Sequence, residues 1–443
     1  MSVLVSGRRV ALLAVVSVFT AALALVSAGS AATRLGSLPP FPYCGWWFVT
    51  TAQSVNVALP DTSAAYWTTP FVAAPGLKIV IKGQYPNARF ASVTVYNNAG
   101  GVFTRNGVSS GIVDYQIAPD PGSINPFQHV TNRPGRFTIT IQRHVSRVQV
   151  NVLPMVPRIP SKGIVPPGTG FIVYRVYLPN GGSFSSVQLP TVVLSFRGRT
   201  RSLPVCPWLG TTPHLPRFLS SVARHRVATS LSTTAGRVNA SSSTPPLLKF
   251  FRPMAATTNS FFPNVANAYV AALFQPTPGT VVVVRGKAAT APPDSSAMPW
   301  PNPSYNLRYW SLCNNENAPP DPVVVVPDPQ TGGQIYGCSA DLNTTVVGGY
   351  YTYVLSSLAD RPPSATTQNG ITWLPYSSQN VQNVLVLRNM LGSAFPNSVQ
   401  QVPQDGNPAS AQAVMGPYYP QMAQCSVSTF ATGGVAGCFA ASG

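Results

Sequence analysis

Charged residues are scarce in this 443-residue sequence: they make up 9% of it, against roughly 25% in an average soluble domain. Acidic residues are the rarer kind, since 10 Asp and Glu face 28 Lys and Arg and leave a net charge of +18. Long helices are not expected either, because 46 Pro and 35 Gly would interrupt helix interiors. Hydrophobic residues still make up 45% of the chain, which is enough to bury a large core and argues against disorder.

Motifs that would identify a reaction are also missing. The sequence has no P-loop, no HExxH helix and no EF-hand loop, and its cysteines lack the C-x-x-C spacing of zinc sites. The segment Gly107–Gly111 matches G-x-S-x-G, but the residues after it, with Pro119 and Pro121, cannot form the helix that a nucleophile elbow requires. We therefore expect a hairpin turn there, and a non-enzymatic protein without metal or cofactor. A secreted hydrolase is the alternative.

The N-terminus has the three parts of a secretory signal. Arg8 and Arg9 precede the uncharged apolar run Val10–Val26, and small residues follow up to Ala32. We expect residues 1–32 to be a cleaved signal peptide; the alternative is an uncleaved anchor, because the apolar run is close to the ~20 residues that span a bilayer. The prediction is a secreted or cell-envelope protein.

Short runs rich in Val, Ile, Thr, Tyr and Phe, separated by Pro and Gly, predict a mainly β protein. Several blocks of sequence recur in the same order in the two halves of the chain. In the first block, residues 60–83 match residues 263–286 at a constant offset of 203. Later blocks align Arg89 with Arg308 and Arg175 with Arg388. Such ordered repetition predicts two homologous β-domains.

We place these domains at 45–196 and 255–400. A basic, Ser/Thr-rich and partly helical connector at 197–254 separates them, and a C-terminal tail at 401–443 follows the second.

The order of the blocks resembles the secreted and lipoprotein-associated family called domain of unknown function 1214. The first half carries the resemblance in FASVTVY from Phe90, GRFTITIQ from Gly135, NVLP from Asn151 and GFIVYRVYLP from Gly170. The second half departs from the family pattern, because no Tyr-x-Pro follows its Arg388. The resemblance implies two tandem β-sandwich or jelly-roll-like domains, and it implies no catalytic residue.

Six cysteines in an exported chain favour disulfides over metal binding, and six allow 15 pairings. Position along the chain favours one set of three disulfides: Cys44–Cys206 around the first domain, Cys313–Cys338 within the second, and Cys425–Cys438 in the tail.

The arginines at 89, 308, 175 and 388 are the only charged residues repeated identically in equivalent strands. One interpretation makes them pocket residues that bind an anionic ligand. The other, which we favour, is that they are buried strand arginines that lie over aromatic rings or meet a carboxylate such as Asp114 or Asp341.

The net charge is concentrated in the centre of the chain. Residues 121–293 contain 18 Lys and Arg and no acidic residue. Within the connector, Arg217, Arg224 and Arg226 accompany apolar residues at helical spacing, a pattern typical of segments that lie on anionic surfaces. We expect an anionic polysaccharide or a membrane surface as partner, and no nucleic acid outside the cell. The alternative is a solvated linker, and the oligomeric state is left open.

Overall fold

The computed structural model describes residues 44–133, 135–156, 168–207, 209, 248–254, 262–318, 320–377 and 381–442. The predicted signal segment and most of the predicted connector, with its expected helical part, lie outside these ranges. Within them the chain is mainly β, as the sequence predicts. It forms two β-sandwiches, which we call the first sandwich (residues 44–209) and the second sandwich (residues 248–442).

Two sheets form the first sandwich. Its strands are β1 (Phe48–Thr50), β2 (Ala64–Val72), β3 (Leu77–Gln84), β4 (Ala88–Tyr96), β5 (Thr104–Arg105), β6 (Val108–Ser109), β7 (Gly111–Val113), β8 (Arg136–Gln142), β9 (Val152–Pro154), β10 (Thr169–Pro179), β11 (Thr191–Phe196) and β12 (Arg199–Leu203). One sheet has the order β1-β2-β10-β4-β7 and the other the order β12-β11-β3-β8-β9.

The G-x-S-x-G segment forms the predicted hairpin. Strands β5 and β6 pair across Asn106 and Gly107, whose φ angles are both positive, at 50° and 74°. Asn-Gly is the favoured pair for such a two-residue turn, because both residues adopt the left-handed region readily.

The second sandwich has the strands β13 (Asn267–Phe274), β14 (Thr280–Lys287), β15 (Tyr309–Glu316), β16 (Val325–Pro327), β17 (Gln334–Tyr336), β18 (Cys338–Ala340), β19 (Val346–Val347), β20 (Tyr350–Ser356), β21 (Thr372–Pro375), β22 (Asn383–Met390) and β23 (Gln421–Ser426). Its helices are α1 (Pro408–Met415) and α2 (Val427–Ala441). One sheet has the order β13-β22-β15-β18; the other has the order β19-β20-β14-β23, with β21 parallel to β20. Within the described residues, no helix has the length and apolar character that a bilayer span requires.

Strand order and register repeat between the sandwiches. The order β2-β10-β4-β7 recurs as β13-β22-β15-β18, and β11-β3-β8-β9 recurs as β23-β14-β20-β21. Arg175 lies opposite Tyr66 and Ser92 on its neighbouring strands. Arg388 lies opposite the corresponding residues, Tyr269 and Ser311. Residues aligned by the sequence blocks therefore occupy the same strand positions.

Two of the expected domain boundaries differ from the structure. The connector does not begin at 197, because β12 pairs with β11 and extends the first sandwich. The segment 401–443 is not a separate tail, because β23 pairs with β14 in the place that β11 occupies beside β3. In both cases a strand that has no counterpart in the sequence blocks completes the edge of a sheet.

The two inner sheets, which contain β10 and β22, are buried on both faces. Along β10, Ile172, Tyr174 and Val176 belong to the core of the first sandwich. The alternate residue Tyr177 joins Tyr309 in an apolar cluster between the sandwiches. Burial on both faces explains why β10 has a nearly continuous apolar sequence rather than an alternating one.

The structure contains three disulfides, in the pairing that chain position favours: Cys44–Cys206, Cys313–Cys338 and Cys425–Cys438. The first ties the start of the first sandwich to the residues after β12, and the last ties β23 to α2. Such disulfides are typical of proteins that fold in an oxidising compartment.

Candidate ligand-binding site between the two sandwiches

Two reciprocal buried ion pairs connect the sandwiches. Arg89 of β4 donates from Nη1 to Asp341 of the second sandwich at 2.8 Å. Arg308, just before β15, donates from Nη1 and Nη2 to Asp114 of the first sandwich at 3.1 and 3.3 Å. The Arg308 guanidinium also lies over the rings of Phe127 and Trp300. Each arginine is therefore neutralised by a carboxylate from the other half of the chain.

The contacts around these pairs are reciprocal. Nη1 of Arg89 donates to the carbonyl oxygen of Arg308 at 3.2 Å, and Nε of Arg308 donates to that of Arg89 at 2.7 Å. Reciprocity of this kind characterises an isologous interface between two equal units. Burial raises the pKa of the Asp114 and Asp341 carboxyls, and the facing guanidinium groups oppose that shift.

Arg89 and Arg308 do not line the cavity that the two sandwiches enclose between them. Their side chains are completely buried, and carboxylates occupy their guanidinium groups. For these two residues the geometry favours the structural interpretation of the repeated arginines.

Arg175 and Arg388, in contrast, line a cavity of about 290 Å³ between the sandwiches. The first sandwich contributes Tyr66, Val173 and Arg175, and the second contributes the residues in register with them, Tyr269, Val386 and Arg388. The remaining wall is mainly apolar and includes Phe48, Val57, Leu59 and Ala271. A largely apolar cavity with a few convergent polar groups is typical of small-molecule sites.

Each cavity arginine is held by a carbonyl group from the opposite sandwich. Nη2 of Arg388 donates to the Leu59 oxygen at 2.6 Å, and Nη2 of Arg175 donates to the Phe262 oxygen at 3.2 Å. Leu59 and Phe262 are 203 residues apart, the same offset as in the first sequence block, and both have left-handed φ angles of 55° and 49°. This conformation costs an apolar residue roughly 1–2 kcal/mol, so the surrounding contacts must compensate for it.

The two arginines differ in their counterions. Asp61 is completely buried, and its Oδ2 lies 3.8 Å from Nη1 of Arg388. The residue at the equivalent position, 203 further along, is Asn264. Within the described residues no carboxylate forms a salt bridge with Arg175, and its Nε and Nη1 atoms have no hydrogen-bond partner. Arg175 is 2% exposed, so an unpaired buried cation lies at the cavity wall.

Aromatic groups stabilise the Arg175 guanidinium in part. It lies 5.0 Å from the centre of the Tyr66 ring, and its Nη2 donates to the Tyr96 hydroxyl at 3.1 Å. Burial raises the pKa of Tyr66 to about 12, although Arg175 opposes the shift. The phenol is therefore neutral at physiological pH and cannot serve as the counterion.

One group of described residues brings three potential metal ligands together: Asp61, Cys313 and Cys338. The two sulfur atoms are joined in a disulfide. Since metal binding requires thiolates, this group does not form a metal centre while the disulfide is intact.

Arg217, Arg224 and Arg226 of the connector lie outside the described residues. The sequence analysis missed Asp61 and Asn264, although both belong to the block with the constant offset of 203. The exchange of an acid for an amide at aligned positions was the signal that could have identified them.

Comparisons with known proteins give only a distant likeness. No family model matches the sequence, and no curated protein matches it. An uncharacterised protein from Burkholderia cenocepacia is similar in structure, with a TM-score of 0.48 and 10% identity over 87% of this chain and 84% of that one. A protein from Vibrio parahaemolyticus has a TM-score of 0.38 and 9% identity over 82% of this chain and 89% of that one.

Proposed function

We propose that this is a non-catalytic binding protein that holds a small apolar molecule in the cavity between its two sandwiches. The observation that carries the proposal is the cavity itself, which both inner sheets enclose. Its volume of about 290 Å³ is near the lower end of the roughly 300–1,000 Å³ found for small-molecule sites.

The chemistry of the wall supports binding over hydrolysis. The described residues that line the cavity include arginines, tyrosines, threonines and apolar groups, and they include no carboxylate, histidine or serine. Hydrolysis by a nucleophile or by paired acids would need such groups in contact in one cleft. A secreted hydrolase is therefore the less supported alternative.

Binding of the neutral fluorescent probe N-phenyl-1-naphthylamine, and its displacement by 1-decanol, tests the proposal. We expect probe fluorescence to rise with the wild-type protein. Thr50→Trp should reduce binding, because Thr50 lies in the cavity wall and a larger side chain would fill the space. Ser195→Trp is a matched control, since Ser195 is also a half-buried strand residue but does not line the cavity. Absence of probe binding to the wild type, or equal binding by both variants, would contradict the proposal.

We further infer that the protein acts outside the cytosol, at the cell surface or in the envelope. Its three disulfides support an oxidising compartment.

Association with anionic surface polymers is proposed from the basic connector sequence alone. Replacing Arg217, Arg224 and Arg226 with Gln should weaken retention on heparin, because each basic residue near an anionic surface contributes about 1 kcal/mol. Unchanged retention would place the attraction elsewhere.

We also infer that the two sandwiches descend from one ancestral domain, and that this domain is related to the domain of unknown function 1214 family. The repeated strand order and the equivalent registers around Arg175 and Arg388 support a common origin. Superposition of the sandwiches with Arg89 on Arg308 and Arg175 on Arg388 tests it, because unrelated folds would not align all these positions at once.

A further inference from the structure

The carboxylate of Asp61 has a complete set of partners on the inner sheet of the second sandwich. Its oxygens accept from the Tyr309 hydroxyl at 2.9 Å and from the Ser311 hydroxyl at 2.8 Å. Arg388 lies opposite Ser311 on the neighbouring strand, with its Nη1 3.8 Å from Asp61. Here a built-in carboxylate compensates the cavity arginine.

The equivalent place on the first sandwich keeps the serine and the arginine, has Phe90 where the second sandwich has Tyr309, and lacks the carboxylate. Ser92 lies opposite Arg175, as Ser311 lies opposite Arg388. Asn264, which replaces the acid, accepts from the Ala266 amide through Oδ1. Three buried groups here have no hydrogen-bond partner among the described residues: the Ser92 hydroxyl, Nδ2 of Asn264, and Nε and Nη1 of Arg175.

We propose that the carboxylate of a bound ligand supplies, beside Arg175, the negative charge that Asp61 supplies beside Arg388. The inference rests on the proposed function, and it assigns the ligand class: an organic acid with one carboxylate and an apolar body. Arg175 and Asn264 both line the cavity, so the carboxylate can reach them while the apolar body contacts the wall. Ser92 contributes a hydroxyl from the strand next to Arg175.

The charge balance supports one acidic group rather than two. Of the two arginines at the cavity, Arg388 already has Asp61 as its neighbour, and Arg175 has no such partner among the described residues. A buried charge without a partner is strongly unfavourable, whereas a charge-assisted hydrogen bond to a carboxylate is among the stronger polar contacts. A ligand with a single carboxylate therefore neutralises the one unpaired cation.

The test compares decanoate with 1-decanol, using displacement of N-phenyl-1-naphthylamine at pH 7.5. Wild type should bind decanoate at least about tenfold more tightly than 1-decanol, equivalent to about 1.4 kcal/mol. Asn264→Asp should remove this preference, since the new carboxylate would pair with Arg175 as Asp61 pairs with Arg388. Arg175→Met should remove it too, because the cation is lost while the cavity stays apolar. The preference is measured as the ratio of the decanoate and 1-decanol affinities within each variant, so a change of the cavity that affects both ligands equally does not alter it.

The outcomes separate this inference from the proposed function. Equal affinity of the wild type for decanoate and 1-decanol would overturn the anionic ligand and leave the apolar cavity function standing. Failure of both compounds to displace the probe would contradict the proposed function itself. A preference for decanoate that survives in Asn264→Asp and in Arg175→Met would place the carboxylate away from Arg175. Thermal unfolding shows whether each variant is folded, and if one fails to fold the other decides.

Discussion

Arg89 and Arg308, which are buried between the sandwiches, each depend on a single carboxylate. Their pairing was predictable from the sequence, because a charged residue inside an apolar strand needs a partner when it is buried. Asp114 and Asp341 were the predicted candidates. That each partner comes from the other sandwich was not predictable. Sequence spacing within one half does not indicate which faces of the two halves meet.

Asp114→Asn should destabilise the protein by about 3–5 kcal/mol, since it leaves the Arg308 guanidinium buried without a counterion. Urea unfolding followed by tryptophan fluorescence measures the change. Asp405→Asn is the control, because Asp405 is exposed and its replacement should cost less than about 0.5 kcal/mol. A loss below about 1 kcal/mol for Asp114→Asn would mean that Arg308 is compensated by other groups.

Asp321 predicts a pH-dependent stability. It is 1% exposed, and burial raises its pKa to about 7, against about 3.9 in the unfolded chain. The folded state then holds a proton that the unfolded state releases, so the stabilisation is complete below pH ~4 and is lost as the pH rises to about 7. The free energy of unfolding should fall by about 1.4 kcal/mol per pH unit in this window.

Asp321→Asn should abolish that part of the pH dependence. Asparagine has nearly the same shape, and it tolerates the positive φ of 54° at this position. Urea titrations at pH 5 and pH 8 should show a smaller difference for the variant than for the wild type. Parallel pH profiles of the two proteins would show that Asp321 does not titrate in this range.

At the scale of elements, the strands with repeated sequence were predictable from the sequence. The edge strand of the second sandwich, β23, was not. Strand β11 begins soon after β10 ends at Pro179, whereas β23 begins at Gln421, long after β22 ends at Met390. The longer insertion, which contains α1, moves β23 out of alignment with its structural counterpart. The equivalence of β11 and β23 therefore became visible only through their pairing with β3 and β14.

The disulfide that ties α2 to β23 should contribute measurably to the second sandwich. Cys425 and Cys438 are 13 residues apart, and α2 is kinked at Gly434, where φ is +57°. Replacing both cysteines with Ala should cost about 3 kcal/mol from loop-closure entropy. Thermal unfolding should then occur roughly 6–12 °C lower. A shift under about 2 °C would show that α2 docks without help from the disulfide.

For the whole molecule, the reciprocal ion pairs predict how one sandwich behaves alone. Arg89 and Asp114 of the first sandwich correspond to Arg308 and Asp341 of the second. Two copies of a fragment covering residues 44–209 can therefore pair Arg89 of each with Asp114 of the other, and bury the apolar cluster around Phe90 and Tyr177. We expect this fragment to sediment as a dimer.

Sedimentation velocity at micromolar concentration measures the association of this fragment. The same fragment with Arg89→Met is the control, and it should shift towards monomer because Asp114 loses its partner. If the wild-type fragment is monomeric, association through the surface around Arg89 requires residues that are specific to the second sandwich.

The difference between Asp61 and Asn264 at equivalent positions affects how many ligand molecules one chain binds. In a symmetric assembly of two identical chains, every substitution near the axis appears twice, so the two cavity arginines would be either both neutralised or both available. Joining the halves in one polypeptide removes that constraint, and within the part of the chain that the structure describes only Arg388, of the two cavity arginines, has an internal counterion. One chain should thus take up one acid molecule with a simple hyperbolic isotherm, because the second half of the site is already occupied by the protein's own side chain.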